Sequence, residues 1–184
     1  MARTVSTMAA LGTLAPDFML PDTISDKQMS LSVIKGELAT ILMFICNHCP
    51  FVLHVNAELV KLANDFKEKK ISFVAISAND VITHPEDAPG KMKAMALQLN
   101  YPFPYLYDET QEVAKAFDAA CTPDFFIYNK NLELVYRGQL DESRPGNGVP
   151  VTGKDIRLAL ECMINDKPVP EDQKPGIGCN IKWK

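Results

Sequence analysis

Runs of hydrophobic residues along the chain predict a core of alternating strands and helices. A continuous apolar run over residues 39–46 predicts a central strand covered on both faces, and residues 71–77 predict a second core strand. This order predicts two parallel strands joined by a helical crossover. The connecting helix begins near Pro50, and its apolar residues recur at spacings of three and four: Val52, Val55, Leu59, Leu62 and Phe66.

The pattern beyond the second strand predicts further elements of the same sheet. Asp108 and Gln111 stand at the spacing of a capping box, which predicts the start of a helix there. With a short edge strand near residues 15–22, the order predicts an α/β fold with a mixed central β-sheet flanked by helices. The later elements are a helix over residues 92–99, a strand over 103–107, a helix over 108–117, a hairpin of strands 124–128 and 132–137, and a helix from 152 to about 165.

The domain organisation is predicted to be simple. We expect residues 1–184 to form a single domain, since this length is typical of one. The core is expected over about residues 15–165, after an N-terminal extension. A proline-bearing tail over residues 166–184 follows the last predicted helix.

Charge and hydropathy exclude several classes of partner. The net charge is −4 and no basic patch stands out, so we expect neither nucleic acid nor a membrane as a partner. The longest apolar run, residues 38–46, is too short to span a bilayer, and no signal peptide is expected. We therefore expect a cytoplasmic, reducing environment. There, five cysteines are reactive or metal-binding groups rather than a framework of structural disulfides.

Two cysteines at the junction of the first core strand and its helix carry the clearest chemistry. They enclose the sequence Cys46-Asn47-His48-Cys49, directly before Pro50. Backbone N–H groups and the helix dipole stabilise a thiolate at such a position, and the thiolate is the reactive form. The pattern predicts a dithiol redox site that needs no cofactor and no resident metal ion. A buried inert pair, or a pair of metal ligands, is the alternative.

The other cysteines leave their roles open. Cys121 directly precedes Thr122-Pro123, and it is a third redox partner, a metal ligand or a small buried hydrophobic residue. Cys179 lies in a tail that could fold back over the site, so it is either a resolving cysteine or an incidental thiol. Cys162 lies among apolar residues of the last helix and is expected in the core.

Several motifs resemble known proteins over nearly the whole chain. The cysteine pair after the first core strand, with Thr122-Pro123 before the final hairpin, resembles the thioredoxin fold. Ala15-Pro16-Asp17-Phe18 and Tyr136-Arg137-Gly138 resemble the peroxiredoxin-like AhpC/TSA branch of that superfamily. Motifs at residues 46–51, 103–108 and 178–183 resemble a small peroxiredoxin-like group within it.

The resemblance implies roles for two residues beside the cysteines. Pro123 is expected to be cis, to face the pair, and to expose backbone with which a peptide substrate pairs as a strand. His48 stands where disulfide isomerases and oxidising thiol oxidases carry a histidine. A positive charge there stabilises the thiolate and so the reduced form, which predicts a site less reducing than thioredoxin. A solvent-exposed loop histidine is the alternative.

Two mechanisms of this superfamily compete, and the thioredoxin type is favoured. In that mechanism Cys46, exposed at the strand end, attacks a substrate disulfide and Cys49 resolves the mixed disulfide. In the peroxiredoxin mechanism Cys49 attacks peroxide, and a neighbouring cysteine condenses with the sulfenic acid. The peroxide-activating residues are missing, because Leu42, Cys46 and Thr122 occupy the positions of the motif's proline, threonine and catalytic arginine.

The favoured function is therefore that of a thiol–disulfide oxidoreductase, and a thiol-dependent peroxidase is the alternative. The expected partners are protein or small-molecule disulfides and thiols, an external thiol reductant and, for the alternative, peroxide. A third hypothesis is a metal-binding or redox-sensing module formed by Cys46, Cys49, Cys121 and His48.

Overall fold

The computed structural model describes residues 3–184, which contain ten β-strands and five α-helices. The strands are β1 (Arg3–Val5), β2 (Met19–Pro21), β3 (Gln28–Ser30), β4 (Ala39–Phe44), β5 (Ile71–Ser77), β6 (Tyr105–Tyr107), β7 (Cys121–Thr122), β8 (Asp124–Asn129), β9 (Leu134–Gly138) and β10 (Ile177–Asn180). The helices are α1 (Leu31–Ile34), α2 (Pro50–Asp65), α3 (Pro89–Gln98), α4 (Glu112–Ala116) and α5 (Lys154–Ile164).

Five strands form the mixed central sheet that the sequence predicts. Their order is β6-β5-β4-β8-β9, with β4 at the centre. Strand β4 pairs in parallel with β5 and antiparallel with β8, while β9 closes the hairpin with β8. Because β4 and β5 run in the same direction, the loops that follow them meet at one edge of the sheet.

Hydrophobic residues of β4 fill the core on both faces of the sheet. All six residues of β4 are buried, as expected for a strand covered on both sides. Ile41 and Met43 belong to a cluster that includes the buried faces of α2 and α5. Leu42 and Phe44 belong to a second cluster with residues of α1 and α4. Successive side chains of a strand point to opposite faces, so helices lie on both sides of the sheet.

The C-terminal tail contains a strand that the sequence pattern did not predict. Strand β10 lies between β1 and β7 in a separate three-stranded sheet and pairs antiparallel with both. Backbone pairing therefore ties the tail and the N-terminal extension to the segment that precedes Pro123. The predicted edge strand near residues 15–22 is limited to β2, which pairs with β3 in a two-stranded sheet.

Two predicted helix starts are wrong at the level of single residues. Gln111 has a φ of +66°, and its side chain donates hydrogen bonds to the carbonyl oxygens of Ala78 and Lys182 instead of closing a capping box. Helix α4 is consequently shorter than predicted. Helix α5 begins after Gly153 rather than at Thr152, whose backbone N–H donates to Asp141. Within residues 3–184, none of the helices has the length and apolar content that crossing a bilayer requires.

Candidate active site

The cysteine pair lies where the central strand β4 leads into helix α2. Strand β4 ends at Phe44, and Cys49 is the residue that caps the N-terminus of α2, with Pro50 at the first helical position. Proline suits this position because its missing N–H has no partner within the helix. The 16-residue helix directs its positive dipole end at the Cys49 side chain.

Three sulfur-bearing segments meet at this point. The Sγ atom of Cys49 lies 2.9 Å from the Sγ of Cys179 and 3.2 Å from the carbonyl oxygen of Thr122. The Sγ of Cys46 lies 3.5 Å from the hydroxyl oxygen of Thr122. The Thr122–Pro123 peptide bond is cis, and these distances place the pair against the residue that precedes the cis-proline. The five cysteines lie within residues 3–184, and no two of them form a disulfide.

The expectation that the Cys46 sulfur is exposed is wrong. Cys46 is 1% exposed and Cys49 is 0% exposed. Residues of the 3₁₀ turn at Pro85–Asp87 cover the pair on one side, since Asn47 donates hydrogen bonds to the Asp87 side chain and the Glu86 carbonyl. On strand β10, the Cys179 sulfur lies against the Cys49 sulfur. Reaction with an external disulfide therefore requires one of these segments to move.

The two cysteines of the pair differ in their electrostatic surroundings. Side-chain hydrogen bonds with Cys46, and then with Cys179 and Thr122, lower the pKa of the Cys49 thiol below its ordinary value, although burial opposes this. The hydrogen bond to Cys49, burial and the negative charge of Asp87 raise the pKa of Cys46. The surroundings therefore favour a thiolate on Cys49 and a protonated thiol on Cys46.

His48 is held by a carboxylate that was not among the predicted site residues. Its Nδ1 atom lies 2.7 Å from Oδ2 of Asp87, and its ring stacks on His84 with centroids 5.0 Å apart. The Asp87 carboxylate offsets the positive charge that the sequence-based hypothesis assigned to His48. The less reducing potential expected for the site stays a prediction, which a redox titration against glutathione buffers would test.

Asp87 organises the loops at this edge of the sheet. Its buried carboxylate accepts hydrogen bonds from the backbone N–H of Asn47 (2.8 Å), the backbone N–H of His48 (3.3 Å) and the side chain of Asn79 (2.8 Å). A signal for this role was present in the sequence. Asn79 and Asp87 follow β5, the parallel neighbour of β4, and loops after adjacent parallel strands share an edge.

The residues that could hold a metal ion differ from the predicted metal ligands. Ligand atoms of Cys46, His48 and Asp87 lie within 4.8 Å of one another, whereas the sequence-based set included Cys49 and Cys121. Thiolate, imidazole and carboxylate are ligands that zinc accepts. However, both oxygens of Asp87 already accept hydrogen bonds, so a metal would have to replace these contacts.

The two remaining cysteines and Arg137 are buried to different degrees. The buried Cys121 thiol donates to the carbonyl oxygen of Pro123 at 3.6 Å, and burial raises the pKa of this thiol. The expectation that Cys162 lies in the core is wrong, because its side chain is only half-buried in α5. Arg137 is fully buried and forms an ion pair with Asp124 at 3.2 Å. The Cys121 contact favours the interpretation of this residue as a small buried side chain beside the cis-proline.

We expect the ultraviolet absorbance of a thiolate in the reduced protein at neutral pH, and we expect Cys49→Ser to remove it. The reason is the set of hydrogen-bond donors and the helix terminus that surround the Cys49 sulfur. Cys46→Ser should largely retain this absorbance, because a serine hydroxyl can still donate to the Cys49 sulfur. Cys162→Ser is the matched control. Absorbance that disappears in Cys46→Ser and survives in Cys49→Ser would contradict the assignment.

A cis-proline strand that faces a Cys-x-x-Cys pair at the end of a mixed sheet defines a protein of the thioredoxin fold. The chain belongs to the AhpC/TSA family, whose family model matches residues 11–137. The predicted resemblance to the AhpC/TSA branch is thereby confirmed, and the mixed central sheet flanked by helices confirms the predicted fold class. None of the curated proteins compared with the chain matches it.

Solved structures include two that are similar over the full chain. An uncharacterized conserved protein from Geobacillus kaustophilus is 59% identical, with a TM-score of 0.99, and the match covers 100% of this chain and 97% of that one. A hypothetical protein from Sinorhizobium meliloti 1021 is 45% identical, with a TM-score of 0.96 and 98% of each chain covered. The peroxidoxin BcpB from Mycobacterium tuberculosis shares the fold at 22% identity and a TM-score of 0.57, over 68% of this chain and 82% of its own.

Proposed function

We propose that the chain is a thiol–disulfide oxidoreductase of the cytoplasm that uses the Cys46–Cys49 site to reduce disulfides of proteins or small molecules. One observation carries the proposal. The Cys49 sulfur lies at the N-terminus of α2, beside the cis-proline segment, with the Cys179 thiol 2.9 Å away and the Cys46 thiol as a hydrogen-bond donor. A nucleophilic thiolate with a second thiol in reach is what disulfide exchange requires.

The roles within the pair are reversed from the thioredoxin-type expectation. In the proposed reaction the Cys49 thiolate attacks one sulfur of the substrate disulfide, forms a mixed disulfide and releases the first substrate thiolate. A neighbouring protein thiol then attacks the Cys49 sulfur and releases the second substrate thiolate. The neighbouring protein thiol loses one proton, which one leaving thiolate takes up. The other leaving thiolate carries the negative charge that Cys49 brought to the reaction and takes a proton from solvent. An external thiol reductant later reduces the protein disulfide.

Cys49→Ser is expected to reduce the rate of disulfide reduction to that of the buffer control. A serine hydroxyl does not ionise at neutral pH and cannot form the mixed disulfide. The measurement is reduction of oxidised glutathione and of insulin with dithiothreitol as the reductant. Cys162→Ser should retain the wild-type rate, because Cys162 lies in α5 away from the site. Equal rates for Cys49→Ser and wild type would refute the proposed function.

A thiol peroxidase is the second candidate, and the lowered pKa of Cys49 favours it. A thiolate at this position corresponds to the peroxidatic cysteine of the peroxiredoxin mechanism. Against this candidate, Thr122 stands at the position of the catalytic arginine, and the hydrogen bonds of Arg137 go to Phe117, Asp118 and Asp124. Peroxide consumption, measured with the same wild-type and variant proteins, decides between the oxidoreductase and the peroxidase. Consumption that is faster than disulfide reduction and absent in Cys49→Ser would favour the peroxidase.

A further inference from the structure

The tail strand β10 occupies the backbone edge that the resemblance assigned to a peptide substrate. Cys179 pairs with Thr122, and Asn180 pairs with Cys121, in antiparallel register. Thr122 is the residue that precedes the cis-proline. The polypeptide that pairs as a strand beside Pro123 is thus the chain's own C-terminal segment, and it carries a cysteine opposite Thr122.

Close backbone packing fixes this strand at the site. A Cβ atom added at Gly178 would overlap the carbonyl oxygen of Thr122 and lie 2.6 Å from its carbonyl carbon. Glycine at this position therefore permits the approach of β10 to β7. On its other edge β10 pairs with β1, where Arg3 lies opposite Cys179. The Cys179 side chain is consequently held at a defined place relative to the Cys49 sulfur.

We propose that Cys179 is the thiol that resolves the mixed disulfide formed between Cys49 and a substrate. This assignment rests on the proposed function and names the second sulfur of its reaction. The Cys179 sulfur attacks the Cys49 sulfur, so that a Cys49–Cys179 bond forms and the bond between Cys49 and the substrate sulfur breaks. The substrate sulfur leaves as a thiolate and takes the proton that Cys179 loses. Two protein thiols are oxidised and one substrate disulfide is reduced.

Position favours Cys179 as the resolving thiol. Its sulfur lies 2.9 Å from the Cys49 sulfur, and the pairing of β10 with β7 and β1 holds it there. Burial, and then the hydrogen bond to Cys49, raise the pKa of Cys179 to about 12, while Lys182 lowers it. Once Cys49 is in a mixed disulfide, it no longer carries the negative charge that opposes ionisation of Cys179, and Lys182 still favours that ionisation.

A single-turnover experiment with oxidised glutathione tests the assignment. The reduced full-length protein is mixed with oxidised glutathione, quenched with acid, alkylated and mapped by peptide mass spectrometry. We expect linked peptides of Cys49 and Cys179 in the wild type and in Cys46→Ser. We expect Cys179→Ser to lose this link and to accumulate glutathionylated Cys49. Cys162→Ser should match the wild type.

The opposite pattern would overturn the assignment while leaving the proposed function intact. That pattern is a Cys46–Cys49 link in both the wild type and Cys179→Ser, with glutathionylated Cys49 accumulating in Cys46→Ser. Failure of the proposed function looks different, because no Cys49 adduct or link would then form in any of these proteins.

A glycine variant separates the position of Cys179 from its chemistry. Gly178→Ala keeps all five thiols but forces β10 away from Thr122, so it should lose the Cys49–Cys179 link and accumulate glutathionylated Cys49. Gly90→Ala is the matched control, because a Cβ added there meets no atom within 4 Å. A link that forms in Gly178→Ala as fast as in Gly90→Ala would contradict the role of the β10 register.

Discussion

Replacement of Arg137 by methionine is expected to lower the free energy of unfolding by about 3 to 5 kcal/mol, the range for removal of one partner of a buried ion pair. The Arg137 side chain is fully buried and lies 3.2 Å from Asp124, which is buried as well. The guanidinium also donates 2.7 Å and 3.4 Å hydrogen bonds to the carbonyl oxygens of Asp118 and Phe117, and its carbon lies 4.2 Å from the Phe126 ring centroid. Methionine can replace the packing but none of these donors.

The loss of stability in Arg137→Met should be larger at neutral pH than below pH 6. Burial raises the pKa of Asp124 from 3.8 to about 6, although Arg137 opposes this. Protonated Asp124 therefore stabilises the folded protein fully at pH values below its ordinary pKa of 3.8. This stabilisation is lost as the pH rises through about 6. Without Arg137 the pKa of Asp124 rises further, so the ionised form becomes still less favourable inside the folded protein.

Urea unfolding of Arg137→Met at several pH values measures both effects. Lys70→Met, which removes an exposed partner of Glu37, is the control and should unfold as the wild type does. The double variant with Asp124→Asn should recover part of the lost stability, since no buried charge is then left unpaired. Wild-type stability of Arg137→Met at neutral pH would show that the buried pair does not support the hairpin of β8 and β9.

Replacement of Asp87 by alanine is expected to cost about 3 kcal/mol or more, because each buried partner left unsatisfied costs about 1 to 3 kcal/mol. Four hydrogen bonds converge on this carboxylate, from both Asn47 and His48 backbone N–H groups and from the side chains of His48 and Asn79. Their loss frees the loop that carries the cysteine pair from the loop after β5. Urea unfolding measures the cost, and Glu86→Ala, an exposed neighbour, should leave stability unchanged.

Asp87→Asn separates the charge of this residue from its shape. The amide has nearly the same volume but no negative charge, so the pKa of Cys46 should fall. The measurement is the pH dependence of the thiolate absorbance of Cys46 in the Cys49→Ser background, with and without Asp87→Asn. If the pKa of Cys46 is the same with and without Asp87→Asn, the repulsion by Asp87 is contradicted. If Asp87→Asn loses as much free energy of unfolding as Asp87→Ala, the shape of the side chain contributes little to stability.

Much of the fold followed from local pattern. The apolar run of β4, the spacing of Val52, Leu59 and Leu62 in α2, and the hairpin of β8 and β9 all depend on residues close together in the chain. Each signal is repeated several times within one element, so single exceptions do not hide it. Errors occurred where a single contact decided the local structure, as at Gln111, whose side chain bonds Ala78 and Lys182.

The sequence by itself determined the α/β class, the family, and the position of the cysteine pair at the start of α2, because periodicity and a short motif are local properties. Only the tertiary structure decided that Cys46 is buried beside Asp87, that side-chain hydrogen bonds lower the pKa of the Cys49 thiol, and that Cys179 lies 2.9 Å from Cys49. Those properties depend on Coulomb interactions and backbone pairing between segments as far apart as residues 49 and 179. Such energies depend on distance in space and leave no periodic pattern in the chain.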